Sequence, residues 1–491
     1  MKRLLGFSLL LLSIISGAQS YTPRYDNSEC PFFIRQLAED SDADISCGYL
    51  IVPEDRQALE TGRIVERFVV RIAARQPTDR TPIMYLSGGP GMPVAEDIAL
   101  ILQSQLHQNY EVIAVDQRGA GFSRPSLNCS ELDDQTDYLN PAWSQPCYRR
   151  LVNDGIVLRA YNSVSDAHDL HDLLVVLEID KANVYGYSYG SRLALTFARD
   201  FPQRIRALML DGVLPLQVNI LEALAPNGNR SIARIFSSCA ADADCKRAYP
   251  DLSASFGDVL ATLNRKPAEV QTEEYDYPIA VTGQGFVFDV LYSLYEKHSI
   301  PFLPAKIDAY AHGEYDFEMA HGEGELPQNE ADLLDTLDVS SEGTVLSFLC
   351  AEEVPFNQRE RIVNRAANLT GVLRRALVEW AISYLNDCKI WEVPRSSARE
   401  NQPVKSDIPT LLLSGYFDPV TPPEWGDEAA KHLENSWHYV FPDASHGVLF
   451  EPDADCAESI ALSFLANPER RPEDACMAAL SPPDFYIRPQ D

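Results

Sequence analysis

Gly186-Tyr187-Ser188-Tyr189-Gly190 forms a G-x-S-x-G pattern, the residue set that presents a serine on a tight turn between a strand and a helix. A hydroxyl is a poor nucleophile at neutral pH. It needs a base within hydrogen-bond reach, and the base needs an acid to orient it. Two later loops offer these groups: Asp418 in Phe417-Asp418-Pro419 and His446 in Ser445-His446-Gly447. His446 is the expected base; His438, its nearest rival, falls inside a strand and reads as a packed core residue. Asp418 is the expected acid, with Asp211 as the alternative, because some triads of this kind draw their acid from the strand after the nucleophile. The backbone N–H groups of Gly89 and Tyr189 are expected to hold a developing oxyanion. The chemistry implied is acyl transfer through a serine ester.

Those positions make sense only if strands carry them. Residues 182–185 read as a short strand and 191–201 as a helix that Pro202 stops. Gly186 and Gly190 keep the turn between them small, and Gly190, Ala194 and Ala198 give the helix a small-residue face that can lie close to a sheet. An ordinary glycine-serine turn is the competing reading. Residues 48–53 and 63–73 alternate apolar and polar side chains and read as antiparallel edge strands. Residues 82–86 and 110–115 are buried-strand runs. The first ends in Ser87-Gly88-Gly89-Pro90-Gly91, a loop that can turn backbone amides into a site. Phosphate binding competes for that loop, but it has neither the lysine of a P-loop nor a G-x-G-x-x-G spacing. The second strand leads into Asp116-Gln117-Arg118-Gly119, where an Asp116–Arg118 ion pair is expected to hold the loop. Residues 163–177 read as a helix with a capping-box start. His168 and His171 lie on it three residues apart and read as solvated rather than metal-binding. Residues 19–47 carry little regular pattern.

The alternation of strands and helices predicts an α/β fold with a mostly parallel doubly wound sheet, and it breaks near Pro215. It resumes at residues 408–413, followed by a strand at 437–441 and a helix near 455–465. The stretch between looks largely helical, for instance at 286–298 and 371–385, and contains an acidic segment, 311–340, with nine Asp or Glu and no Lys or Arg. Residues 216–404 are therefore expected to be a helical cap inserted into a core made of 19–215 and 405–491. The cap should lie over the carboxyl ends of the strands, where sites in open α/β sheets form. The order Ser…Asp…His matches the α/β-hydrolase arrangement.

The chain has 491 residues, 45% hydrophobic and 23% charged, enough apolar material for a large core. Residues 1–18 read as a secretory signal peptide: Lys2 and Arg3, an apolar run at 4–15, and small residues at 16 and 18. A membrane anchor is the competing reading, but the run is short for a bilayer. Ten cysteines lie beyond it. An even count in an exported chain points to disulfides, and their clustering favours Cys30–Cys47, Cys129–Cys147, Cys239–Cys245, Cys350–Cys388 and Cys456–Cys476. Structural zinc is disfavoured because no Cys-x-x-Cys pair exists. The formal charge of −31 becomes −33 without Lys2 and Arg3. That acidity disfavours nucleic acid and anionic membranes; a solvated acidic exterior explains it more simply than attraction of cationic substrates. N-x-S/T triplets occur at Asn128, Asn229 and Asn368.

Ser-Gly-Gly-Pro-Gly (87–91), Asp-Gln-Arg-Gly (116–119), Gly-Tyr-Ser-Tyr-Gly-Ser (186–191), Leu-Asp-Gly-Val (210–213), Phe-Asp-Pro-Val-Thr-Pro-Pro (417–423) and Ser-His-Gly (445–447) occur in this order. Together they resemble the proline iminopeptidase family of α/β-hydrolases, nearest to its secreted tripeptidyl aminopeptidase branch. The resemblance implies a secreted or periplasmic serine exopeptidase without cofactor or metal, acting on peptides with a free N-terminus. It also implies a helical cap whose acidic residues bind the substrate amine. Cys350-Ala351-Glu352-Glu353 resembles such a cap segment, so Glu352 and Glu353 are candidate amine anchors, against a structural acidic pair beside a disulfide. Ser87 departs from the pattern, since proline iminopeptidases usually carry histidine there, and this argues against strict proline specificity. A carboxylesterase or lipase with the same triad is the alternative, because the fold does not fix the leaving group. An inactive hydrolase fold serving as a binding protein is a third reading, which the intact triad disfavours.

Overall fold

In the computed structural model, described over residues 21–76, 79–132, 143–271, 278–317, 341–369, 371–449, 451 and 453–489, nine strands form one sheet. The described residues hold eleven strands in all: β1 (Arg24–Ser28), β2 (Ile45–Pro53), β3 (Ile64–Ile72), β4 (Ile83–Leu86), β5 (Val112–Val115), β6 (Ala182–Tyr187), β7 (Ile205–Asp211), β8 (Ala268–Val270), β9 (Ile279–Val281), β10 (Thr410–Gly415) and β11 (Ser436–Phe441). The sheet order is β1-β2-β3-β5-β4-β6-β7-β10-β11, while β8 and β9 pair as a separate hairpin. The first four strands in that order pair antiparallel, and from β5 to β11 every pairing is parallel. The signal-peptide stretch and most of the acidic segment (318–340) lie outside the described residues.

The central strands are apolar on both faces because helices cover both. On one face Met84, Leu86, Val184, Leu208, Leu210 and Leu412 pack with helices Ser163–Val176 and Tyr189–Asp200. Their neighbours one residue away, among them Tyr85, Tyr185, Met209 and Leu413, pack on the other face with helices Ile98–Gln103 and Asp455–Ala466. Period-two alternation of side chains is what splits one apolar run between two cores.

Helices dominate between β7 and β10. Helices Ile220–Ala241, Leu252–Arg265, Gly283–Ser293, Leu303–Ala311 and Gly371–Asp387 share a third core of their own. Part of the stretch expected as an insertion at 216–404 packs back onto the sheet. Leu346, Phe348, Leu349, Cys350 and Trp391 belong to the sheet-side core. The Ser341 N–H donates to the Gly91 carbonyl (3.0 Å) and the Thr344 hydroxyl to the Arg118 carbonyl (3.0 Å). Conversely, Phe485 near the C-terminus packs into the helical core, and the Tyr486 N–H donates to the Pro301 carbonyl (3.0 Å). The tail thus straps the helical layer to the sheet.

Two expectations are corrected. Residues 19–47 contain strand β1 and helix Phe32–Ser41. The strand is polar because it pairs as an edge, antiparallel to β2, and the Cys30–Cys47 disulfide pins its end. Arg118 does not pair with Asp116. Its buried guanidinium grips Asp169 at 2.6 and 2.8 Å, while Asp116 accepts the N–H groups of Val94 and Phe122 at 2.8 Å each. Near neighbours in a loop end up serving different surroundings. His168 and His171 both lie against the Phe201 ring, with centroids 5.0 and 4.5 Å away. The five disulfides join the pairs that clustering favoured. No helix among the described residues is long and apolar enough to cross a membrane.

Candidate active site

Ser188 ends the run from β6 into helix Tyr189–Asp200 with φ 55° and ψ −123°, a backbone region that L-residues rarely occupy. Three contacts hold it there. The Ser188 N–H donates to the Asp211 carbonyl (2.8 Å), and the Ser191 hydroxyl donates to the Ser188 carbonyl (2.6 Å). Gly190 lies so close to β4 that a Cβ would overlap the Leu86 carbonyl oxygen. The small-residue helix face read from the sequence is what permits this approach.

The three expected side chains meet. His446 Nε2 lies 2.9 Å from Ser188 Oγ, and His446 Nδ1 lies 2.9 Å from Asp418 Oδ2. Asp418 is fully buried and His446 nearly so. Burial works to raise the Asp418 pKa, but the His446 charge, the Thr421 hydroxyl and the Val420 N–H hold it below the usual carboxylate value. Burial likewise works to lower the His446 pKa, and the Asp418 charge and hydrogen bond outweigh it and raise it. The Asp418 and His446 loops touch: a Cβ on Gly415 would collide with the Ser445 carbonyl oxygen.

Asp211, the alternative acid, makes no hydrogen bond to His446. Its Oδ2 accepts the Tyr185 hydroxyl and the N–H groups of Val448 and Leu449, each at 2.9 Å. It therefore anchors the chain just beyond the histidine. His438 lies on β11 with Nδ1 2.9 Å from Asp427 and Nε2 3.0 Å from the Ser414 hydroxyl, away from Ser188.

Thr421 went unnoticed in the sequence. Its hydroxyl donates to Asp418 Oδ2 (2.6 Å) and lies 3.0 Å from His446 Nδ1. Its position three residues after the acid, in Asp418-Pro419-Val420-Thr421, was the available signal. Gln117 also went unnoticed. Its Nε2 donates to the carbonyls of Ser87 (3.2 Å) and Gly88 (2.8 Å), and its Oε1 accepts the Gly91 N–H (2.9 Å). One buried amide therefore spans the glycine loop that carries Gly89.

A cavity of about 180 Å³ opens beside Ser188 and is lined by Gly89 and Tyr189 together with side chains from the helical layer. Glu352 and Glu353, the candidate amine anchors, are not among the residues that line it. Both are buried against Arg192 of the elbow helix, Glu353 Oε1 at 3.0 Å and Glu352 Oε2 at 3.7 Å. Glu352 also accepts the Ser163 N–H (2.7 Å) and hydroxyl (2.8 Å), and Glu353 the Ile220 N–H (3.2 Å). Burial pushes the Glu352 pKa up to about 7 against the pull of Arg192. A buried guanidinium needs nearby carboxylates, and these two supply them. The helical layer reaches the site elsewhere: the Tyr295 ring meets the His446 ring edge-on at 4.7 Å, its carbonyl accepts the His446 N–H (3.3 Å), and the Ser231 hydroxyl donates to the Phe417 carbonyl (2.6 Å).

This arrangement agrees with what similar proteins are. The serine protease Hip1 of Mycobacterium tuberculosis is 22% identical over 462 residues, covering 87% of this chain and 86% of that protein. A tripeptidyl aminopeptidase of Streptomyces coelicolor is 26% identical over 195 residues, 35% of each chain. A proline iminopeptidase of Arabidopsis thaliana is 26% identical over 187 residues, 38% of this chain and 37% of that one. These relatives support a serine hydrolase of the peptidase type. The model of the alpha/beta hydrolase fold family matches residues 81–453, and the chain belongs to that family.

Proposed function

We propose that this protein is an exported serine aminopeptidase that removes N-terminal residues or short peptides through an acyl-enzyme. The observation that carries the acyl-enzyme chemistry is the unbroken chain Asp418–His446–Ser188, with both links at 2.9 Å. Ser188 Oγ attacks the scissile carbonyl carbon as His446 Nε2 takes its proton. The tetrahedral oxyanion sits between the N–H groups of Gly89 and Tyr189. His446 then gives the proton to the leaving amine, and water, deprotonated by the same imidazole, releases the acyl group. Asp418 fixes the ring with its proton on Nδ1, and Thr421 fixes Asp418.

Export is supported by the leader-like first 18 residues and by five disulfides, which persist in oxidising compartments. The exopeptidase reading is supported by the helical layer, whose side chains line the cavity beside Ser188, and by the names of the relatives. With Glu352 and Glu353 held by Arg192, the acidic groups acting on His446 include Asp211 and Glu296. Burial and the Glu296 charge push the Glu451 pKa up to about 8. The second reading, a carboxylesterase, is favoured by one observation: no charged side chain is among the described residues lining the cavity.

A panel of free-amine aminoacyl, dipeptidyl and tripeptidyl amides, N-blocked amides and short-chain esters separates these readings. Free-amine amides are expected to be cleaved and their N-blocked counterparts poorly. Turnover of esters alone would defeat the peptidase reading, and equal cleavage of blocked and free amides would defeat the amine requirement.

Activity needs neutral His446, and its raised pKa puts the acid limb of kcat/KM above the ordinary imidazole value of 6.5. Asp418→Asn removes the charge that raises it. The variant should lose about 10⁴-fold in kcat, and the limb of its residual activity should move to lower pH. An unmoved limb in a pH–rate profile would contradict Asp418 as the partner.

Gln117→Ala frees the glycine loop and should lower kcat by roughly 10–100-fold with KM little changed, because an oxyanion donor acts chiefly in the transition state. Affinity for a boronic acid, which forms a tetrahedral adduct, should fall in parallel. Unchanged kcat and boronate affinity would remove Gln117 from that role.

A further inference from the structure

We infer that the cavity beside Ser188 is a neutral acyl-side subsite that takes a bulky apolar residue next to the scissile bond and rejects a charged one. The inference rests on the serine hydrolase reading above and adds the chemical class of the acyl group. One wall is a single helix face: Leu377, Trp380 and Tyr384 line the cavity from helix Gly371–Asp387, spaced three and four residues apart so that they project together. Leu224 from helix Ile220–Ala241 and Phe348 also line it.

Two polar side chains that line the cavity, Asn227 and Thr421, are already engaged. Asn227 Nδ2 donates to the Val420 carbonyl (3.0 Å), and its Oδ1 accepts from Arg230 (2.8 Å). The Thr421 hydroxyl is taken by Asp418 (2.6 Å). A charged side chain entering here would lose its water against mainly apolar walls, whereas a leucine or phenylalanine would leave water at a gain. The walls are also held in place. The Cys350–Cys388 disulfide joins the residue two beyond Phe348 to the residue after the helix bearing Tyr384. A subsite fixed before the substrate arrives loses less entropy on binding.

The test uses two matched series on the full-length secreted protein: free-amine Xaa and Ala-Ala-Xaa coumarin amides, and the corresponding Xaa esters, with Xaa as Ala, Leu, Phe, Lys or Glu. The expected result is kcat/KM for Leu or Phe at least roughly 100-fold above Lys and Glu. Leu224→Glu places a carboxylate at a half-buried lining position and should narrow the Leu-to-Lys ratio by roughly ten-fold or more. Equal rates for Leu, Lys and Glu would overturn the subsite. So would a Leu-to-Lys ratio unmoved by the substitution, or a preference that follows the leaving group instead of Xaa. The same Xaa ladder on esters alone would keep the subsite and retire the peptidase reading. No turnover of either series would overturn both.

Discussion

A serine held at φ 55° between a parallel strand and a helix is the constraint around which this molecule is arranged. That backbone does not persist unless its surroundings over-determine it. Here the determination is local and dense: a carbonyl from β7 takes the Ser188 amide, the Ser191 hydroxyl takes its carbonyl, and the helix is pressed against β4 through Gly190. The result is a hydroxyl pointing off the carboxyl end of the sheet. The loops after β4, β10 and β11 bring their groups to the same edge, because parallel strands end on one side.

The helical layer does more than cover that edge. It accepts the His446 amide at Tyr295 and donates to the loop of Asp418 through Ser231. Glu353, on the segment that packs against the sheet-side core, meets Arg192, on the helix that Ser188 begins, at 3.0 Å. The loops of Asp418 and His446 are therefore bonded to the layer that forms most of the cavity wall.

Much of this was legible in the sequence, and the reasons differ by residue. The elbow could be read because its steric demands permit few residue types. Asp418 and His446 could be read because each follows an apolar run that is recognisably a strand. Adjacent cysteine pairs could be read because short loops bring them together. What failed depended on partners distant in sequence. Nothing near Glu352 shows that Arg192, 160 positions earlier, lies beside it. Nothing in Asp116-Gln117-Arg118 shows that its arginine reaches Asp169 or that its glutamine spans the glycine loop. Strand β1 was illegible because an edge strand of polar residues carries no hydrophobic period.

The central claim is that one hydroxyl, activated by His446, carries the acyl group. It is tested most directly by reacting the protein with a fluorophosphonate and locating the adduct by peptide mass spectrometry. The account predicts one adduct per chain, on Ser188, abolished by His446→Ala, with activity lost in proportion to labelling. Complete labelling at another residue, or full activity after Ser188 is modified, would contradict it.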